Sequence, residues 1–218
     1  MKSRSMHAMW LVITLGLVPG ITLAGDLRGS VGVLAAHRQF SRVSGDSTSA
    51  GKRRLETMID AVVYLDSIPA RLEKKLSKHP SDAVITQRGG AFSPRTLSVP
   101  VGTTVTFLNR DRVYHSVFSV SPARRFDLGK YAPGEGRQVA LAAPGPIQLF
   151  CDIDPNETGF VFVTPNHASA RPGSRGEFAF RKLPPGRYTL RVWHPSYGSL
   201  TREIEMPRHG DLEVALEY

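Results

Sequence analysis

From Ala61 to the C-terminal end, the chain returns again and again to short runs in which apolar or β-branched residues take every second place. They fall at residues 61–65, 103–108, 116–120, 138–141, 147–150 and 160–163, and later at 176–180, 188–193, 201–205 and 212–216. Successive side chains of a strand point to opposite faces, so this period of two predicts half-buried strands. Gly and Pro close nearly every gap, as in Pro100-Val101-Gly102, Pro144-Gly145-Pro146 and Pro184-Pro185-Gly186. Many short strands separated by such turns predict an all-β fold, a sandwich or a barrel.

Three stretches break the period. In residues 67–80, Ile68, Leu72 and Leu76 recur at helical spacing with charges between them, which predicts one short surface helix. Residues 36–54 are polar, basic and rich in Ser and Gly, which predicts a long loop. At the N-terminus, Lys2 and Arg4 precede an apolar run from Met9 to Leu23, followed by small residues and then Gly25-Asp26. That order predicts a secretory signal cut after Ala24, hence a secreted or periplasmic protein with no stable membrane span after cleavage.

Charge narrows the range of partners. Of the 218 residues, 28 are Lys or Arg and 19 Asp or Glu, for a formal charge of +9. Such an excess means a solvated basic surface or an anionic partner. Nucleic acid is excluded because the chain carries no aromatic-basic motif of an RNA-binding sheet. The one cysteine, Cys151, can make no internal disulfide, so it is a metal ligand, a reactive thiol or an inert buried residue. The chain has no G-x-S-x-G elbow, no P-loop and no H-E-x-x-H. A thiol nucleophile at Cys151 could take His115 as its base, yet nothing marks an oxyanion hole, and the expectation is a protein that is not an enzyme.

The C-terminal run "GEFAFRKLPPGRYTLRVWHPSYGSLTREIEM" places a Pro-Pro-Gly turn between two strands and ends the second in Trp193-His194-Pro195. It resembles the small transthyretin-like, or carboxypeptidase-regulatory-like, β-sandwich. The opening strands of that family have counterparts at the other end of the chain, in Gly29-Ser30-Val31 and Ala61-Val62-Val63-Tyr64-Leu65. The resemblance implies one sandwich split in sequence. Its N-terminal strands would occupy 25–66 and its C-terminal part 171–218. A helical linker at 67–80 and a second β domain at 81–170 would lie between them.

That middle segment carries Phe92-Ser93-Pro94, "VPVGTTVTFLN" from Val99 to Asn109, Asp111 before His115-Ser116-Val117-Phe118, Phe126-Asp127-Leu128-Gly129, Gly145 and Cys151. It resembles the cupredoxins, a Greek-key β-sandwich family, and most closely the plastocyanin-like proteins labelled methylamine utilisation proteins. The resemblance implies copper binding, electron transfer and an acidic periplasmic redox partner. Cupredoxin centres use two imidazoles and a thiolate in a plane with a weak axial thioether. His115 and Cys151 match the first imidazole and the thiolate, and the family spacing puts Asp154 and Glu157 where the second imidazole and the thioether stand. Carboxylate oxygen is a hard donor that suits Cu(II) or Zn(II) better than Cu(I), so copper, zinc and no metal all remain open. Asp154-Pro155-Asn156 also makes a good turn unaided, Glu157 can face solvent, and Cys151 can be a small buried hydrophobe. His167 and His194 are the histidines that could complete the set. His37, His79 and His209 lie in polar surroundings and are expected at the surface.

Overall fold

A computed structural model describes residues 24–33, 58–78 and 83–218. The expected signal segment up to residue 23, the expected loop at 36–54, and residues 79 and 80 of the helical stretch lie outside the described residues. In chain order the strands begin with β1 Gly25–Gly32, β2 Val62–Leu65, β3 Val84–Gln87, β4 Phe92–Ser93, β5 Thr96–Pro100, β6 Thr104–Asn109, β7 His115–Ser119 and β8 Phe126–Tyr131. They continue with β9 Gly136–Ala140, β10 Gly145–Phe150, β11 Thr158–Thr164, β12 Ser169–Ala170, β13 Glu177–Leu183, β14 Gly186–His194, β15 Gly198–Met206 and β16 Leu212–Glu217. The helix α1, Ala70–Leu76, lies between β2 and β3. The protein is all-β, as the period of two predicts.

Among the described residues, four sheets pack around two cores. One core lies between the sheet ordered β13-β1-β16 and the sheet ordered β12-β2-β14-β15. Leu27, Phe178 and Leu216 from the first meet Val63, Leu190 and Ile204 from the second. The other core lies between β4-β3-β6-β9 and β5-β11-β10-β7-β8, where Ile85, Val105 and Phe107 face Val117, Ile147, Leu149 and Val161. In β6 the buried positions alternate, and Val105, Phe107 and Asn109 point inward. Full burial of a Leu or Phe side chain stabilises the fold by about 1.5–3 kcal/mol, so each face holds its own sheet pair together. The chain from Val84 to Thr164 closes on one of these cores, and elements on both sides of it build the other.

The two pairs meet at a small apolar joint. Val62 of β2, Trp193 of β14 and Phe162 of β11 form a buried cluster, with Tyr64 and Phe160 packed against it. Polar contacts tie the same faces: Arg95 pairs with Asp60, the Thr96 hydroxyl donates to Asp60 at 3.3 Å, and the Asn166 amide donates to the Leu65 carbonyl at 2.8 Å. Helix α1 starts after Pro69, whose φ of −57° suits a helix entry, and buries Leu72. Its Glu73 holds the His167 ring at 2.6 Å. Among the described residues, no helix is long and apolar enough to cross a membrane.

Candidate metal centre

Strand register assembles the site. In the antiparallel pair β10–β11, Phe150 stands opposite Thr158, so one step beyond the ladder Cys151 stands opposite Glu157. Alternation then sets the direction. Ile147, Leu149 and Cys151 are the buried positions on one side, and Glu157 shares the inward face with Val161 and Val163. His115 opens β7 on the same face as Val117 and pairs across the ladder with Tyr131, the last residue of β8. From the facing sheet, β3 ends in Gln87, two residues after the core residue Ile85. Five strand ends therefore converge on one end of this sandwich.

The result is a buried polar cluster. One ligand atom from each of His115, Cys151 and Glu157 lies within 4.8 Å of the others. His115 Nδ1 stands 3.0 Å from Glu157 Oε2 and 3.7 Å from Cys151 Sγ. Its other nitrogen, Nε2, stands 2.9 Å from Asp111 Oδ2. The Ser116 hydroxyl donates to Cys151 Sγ at 3.9 Å and accepts from the Asp152 N–H at 2.7 Å, which pins the start of the loop. Glu157 is 1% exposed, and its Oε1 has no hydrogen-bond partner.

Charge follows from these contacts. Burial pulls the His115 imidazole down, but hydrogen bonds to Cys151 and Asp111 and the charges of Glu157 and Cys151 outweigh it, holding the ring above its ordinary value. Asp111 is held below the usual carboxylate value, first by the Gly89 N–H at 2.8 Å and then by His115, against a smaller opposing effect of burial. That N–H belongs to a turn in which Gly89 and Gly90 adopt φ of 64° and 70°, left-handed values that a residue with a Cβ resists. Burial, and after it the charge of Glu157, push the Tyr131 phenol above its ordinary value.

The donor chemistry fits a metal ion. A thiolate, an imidazole nitrogen and a carboxylate are ligands of Zn(II) and of Cu(II), and four-coordinate ions hold such donors about 3–4 Å apart. A buried carboxylate oxygen with no partner is costly, and a cation is one way to satisfy it. Asp111 on Nε2 leaves Nδ1 as the nitrogen facing the cluster, the arrangement in which an outer carboxylate orients a ligand imidazole. Asp111→Asn should therefore weaken ion binding by about 10–100-fold, measured by competition with a chromophoric chelator. An unchanged affinity would mean that Asp111 only closes the Gly89 turn.

The remaining candidates lie outside the cluster. Asp154 Oδ1 accepts the Asn156 N–H at 3.0 Å, and its carbonyl accepts the Glu157 N–H at 3.0 Å, so it shapes the turn that carries Glu157 inward. His167 is held by Glu73, and His194 packs against the rings of Tyr197 and Tyr218 in the other sandwich. Sequence reasoning left Gln87 and Tyr131 out of the site. The signal available for Gln87 was its parity with Ile85, which places an amide on a core face.

The chain matches no protein-family model and no curated protein. Among solved structures, a purple cupredoxin from Nitrosopumilus maritimus is 28% identical over 38% of this chain and 100% of that chain, with a TM-score of 0.35. A copper-containing nitrite reductase from Thermus scotoductus is 28% identical over 39% of this chain and 23% of that chain, with a TM-score of 0.37. A reduced amicyanin mutant is 21% identical over 48% of this chain and 98% of that chain, with a TM-score of 0.36.

Proposed function

We propose that this chain is an exported, cupredoxin-like protein that binds one copper ion through His115, Cys151 and Glu157 and serves as an electron carrier rather than an enzyme. The observation that carries this reading is the convergence of a thiol, an imidazole nitrogen and a carboxylate with an unpartnered oxygen in one buried cluster. Bound copper would supply a one-electron couple. Cys151 would provide the soft, covalent donor, His115 the borderline one, and Glu157 a hard anionic one that favours Cu(II) and lowers the potential. Asp111 orients His115, and the turn at Asp154 delivers Glu157. Just before His115, Arg110, Arg112, Val113 and Tyr114 are exposed, a basic and apolar rim that suits an acidic periplasmic redox partner. In this reading the β1, β2 and β12–β16 sandwich is the transthyretin-like unit into which the metal-binding domain is inserted.

A second reading has an observation of its own. Both nitrogens of His115 face carboxylates, at 2.9 and 3.0 Å, so a protonated imidazole pairs with both acids without a metal. The protein is then a binding or structural module, metal-free or loaded with zinc. Elemental analysis of freshly isolated protein, followed by Cu(II) titration, separates the two. Copper at one equivalent with an intense visible thiolate band supports the carrier. Stoichiometric zinc, or no metal and no band, supports the module.

The choice of third ligand has a separate test. Glu157→Ala should lower the affinity for a divalent ion by more than about 10-fold, whereas Asp154→Ala should leave it within about threefold. Equal losses in both variants would return Asp154 to the ligand set.

A further inference from the structure

Glu157 has a neighbour that controls it. Gln87, fully buried at the end of β3, donates from Nε2 to Glu157 Oε2 at 2.9 Å and to the Ser116 carbonyl at 3.2 Å. Its Oε1 accepts the phenol O–H of Tyr131, itself 1% exposed. Two acceptor-only partners, the Glu157 carboxylate and the Ser116 carbonyl, therefore set the amide. Turned over, it would press its oxygen against a carboxylate and a carbonyl, both acceptors. Tyr131 can only donate here while its phenol keeps its proton, and burial next to an anion ensures that it does. At the other end of the relay, Oε2 of Glu157 is held by Gln87, while Oε1 is left without a partner.

We propose that Gln87, set by Tyr131, is a positioning and selectivity residue: it holds Glu157 Oε2, the oxygen 3.0 Å from His115 Nδ1, keeps the carboxylate turned toward the imidazole and thiol as an anionic donor, and so biases the centre toward divalent ions over Cu(I). This rests on the reading of the cluster as a metal centre. The physical basis is preorganisation combined with hardness. A carboxylate held by one oxygen meets an incoming ion with an anionic donor already aimed, at no further entropic cost. That donor contributes strongly to a divalent ion and little to Cu(I), which Cys151 and His115 alone satisfy. Loss of the relay therefore weakens one class of ion selectively. A side chain that merely fills space would weaken both alike.

The test uses the full chain carrying Gln87→Met, which keeps length without hydrogen bonds, and Tyr131→Phe, which removes only the hydroxyl. Zn(II) and Cu(I) affinities are read by chelator competition, and the Co(II) visible spectrum reports the donor set. Gln87→Met is expected to lower Zn(II) affinity by about 10–100-fold and to alter the Co(II) bands, with Cu(I) affinity held within about threefold. Tyr131→Phe should shift in the same direction by less, and it carries the test alone if Gln87→Met does not fold. Equal losses for Zn(II) and Cu(I), or no change for either, would overturn the relay while leaving the metal centre standing. Wild-type protein that takes up neither ion would overturn the metal centre, and the relay with it.

Discussion

Cys151→Ser is expected to abolish the visible band of the Cu(II)-loaded protein and to lower copper affinity by more than about 100-fold, since even an outer-shell partner contributes about 10–100-fold. The band arises from charge transfer between a thiolate and Cu(II). A serine hydroxyl stays protonated at neutral pH and is a poor ligand by comparison. The exchange is small in volume and the site is already polar, with the Ser116 hydroxyl 3.9 Å from the sulfur, so the fold should survive. Circular dichroism of the metal-free variant checks that, and absorption during Cu(II) titration checks the loss. A band that persists at full strength in Cys151→Ser would place the copper elsewhere on the molecule. A band absent from the wild-type protein as well would leave the module reading in possession of the site.

The second large effect lies at the joint. Trp193→Ala should destabilise the protein by about 3–5 kcal/mol, the cost of truncating a buried aromatic side chain that leaves a cavity behind. Trp193 is 8% exposed, and its ring lies 5.0 Å from that of Phe162 and 5.7 Å from that of Phe160, both on β11. It is the largest side chain shared between the two pairs of sheets, so its loss loosens the attachment of each to the other. Urea unfolding followed by tyrosine fluorescence, which the substitution leaves in place, and by far-ultraviolet circular dichroism measures the drop. The expected pattern is a lower midpoint, with the two probes no longer coincident as the sheet pairs begin to unfold separately. A loss below about 1 kcal/mol with coincident probes would show that the polar contacts of Asp60 and Asn166 hold the joint instead.

How much of this was legible along the chain depended on whether a strand had a solvated face. β6, β10 and β16 alternate and stand out, because one face meets a core and the other is more open. β8 escaped notice because it is an edge strand with only Tyr131 fully buried. β3 escaped for a different reason. It has four residues, and its second inward position holds Gln87, a polar side chain whose partners Glu157 and Tyr131 come from 70 and 44 residues away. A buried amide looks like a surface residue until those partners are known.

The candidate metal centre divides in the same way. His115 and Cys151 were readable as ligand candidates, because a lone cysteine after a strand and a histidine opening another are local features. The choice between the two acids was not local. Asp154 and Glu157 are three residues apart in one turn, and either carboxylate has the same chemistry. The ladder that pairs Phe150 with Thr158 carries Glu157 inward across from Cys151, and the backbone closure of the turn keeps Asp154 at its rim. By itself, then, the amino-acid sequence determined an all-β chain with one thiol and a small set of candidate donors, because alternation and residue chemistry are written one position at a time. Only the tertiary structure decided which carboxylate meets the thiol and which amide from the facing sheet holds it, because strand register and the packing of two sheets join residues that the chain keeps far apart.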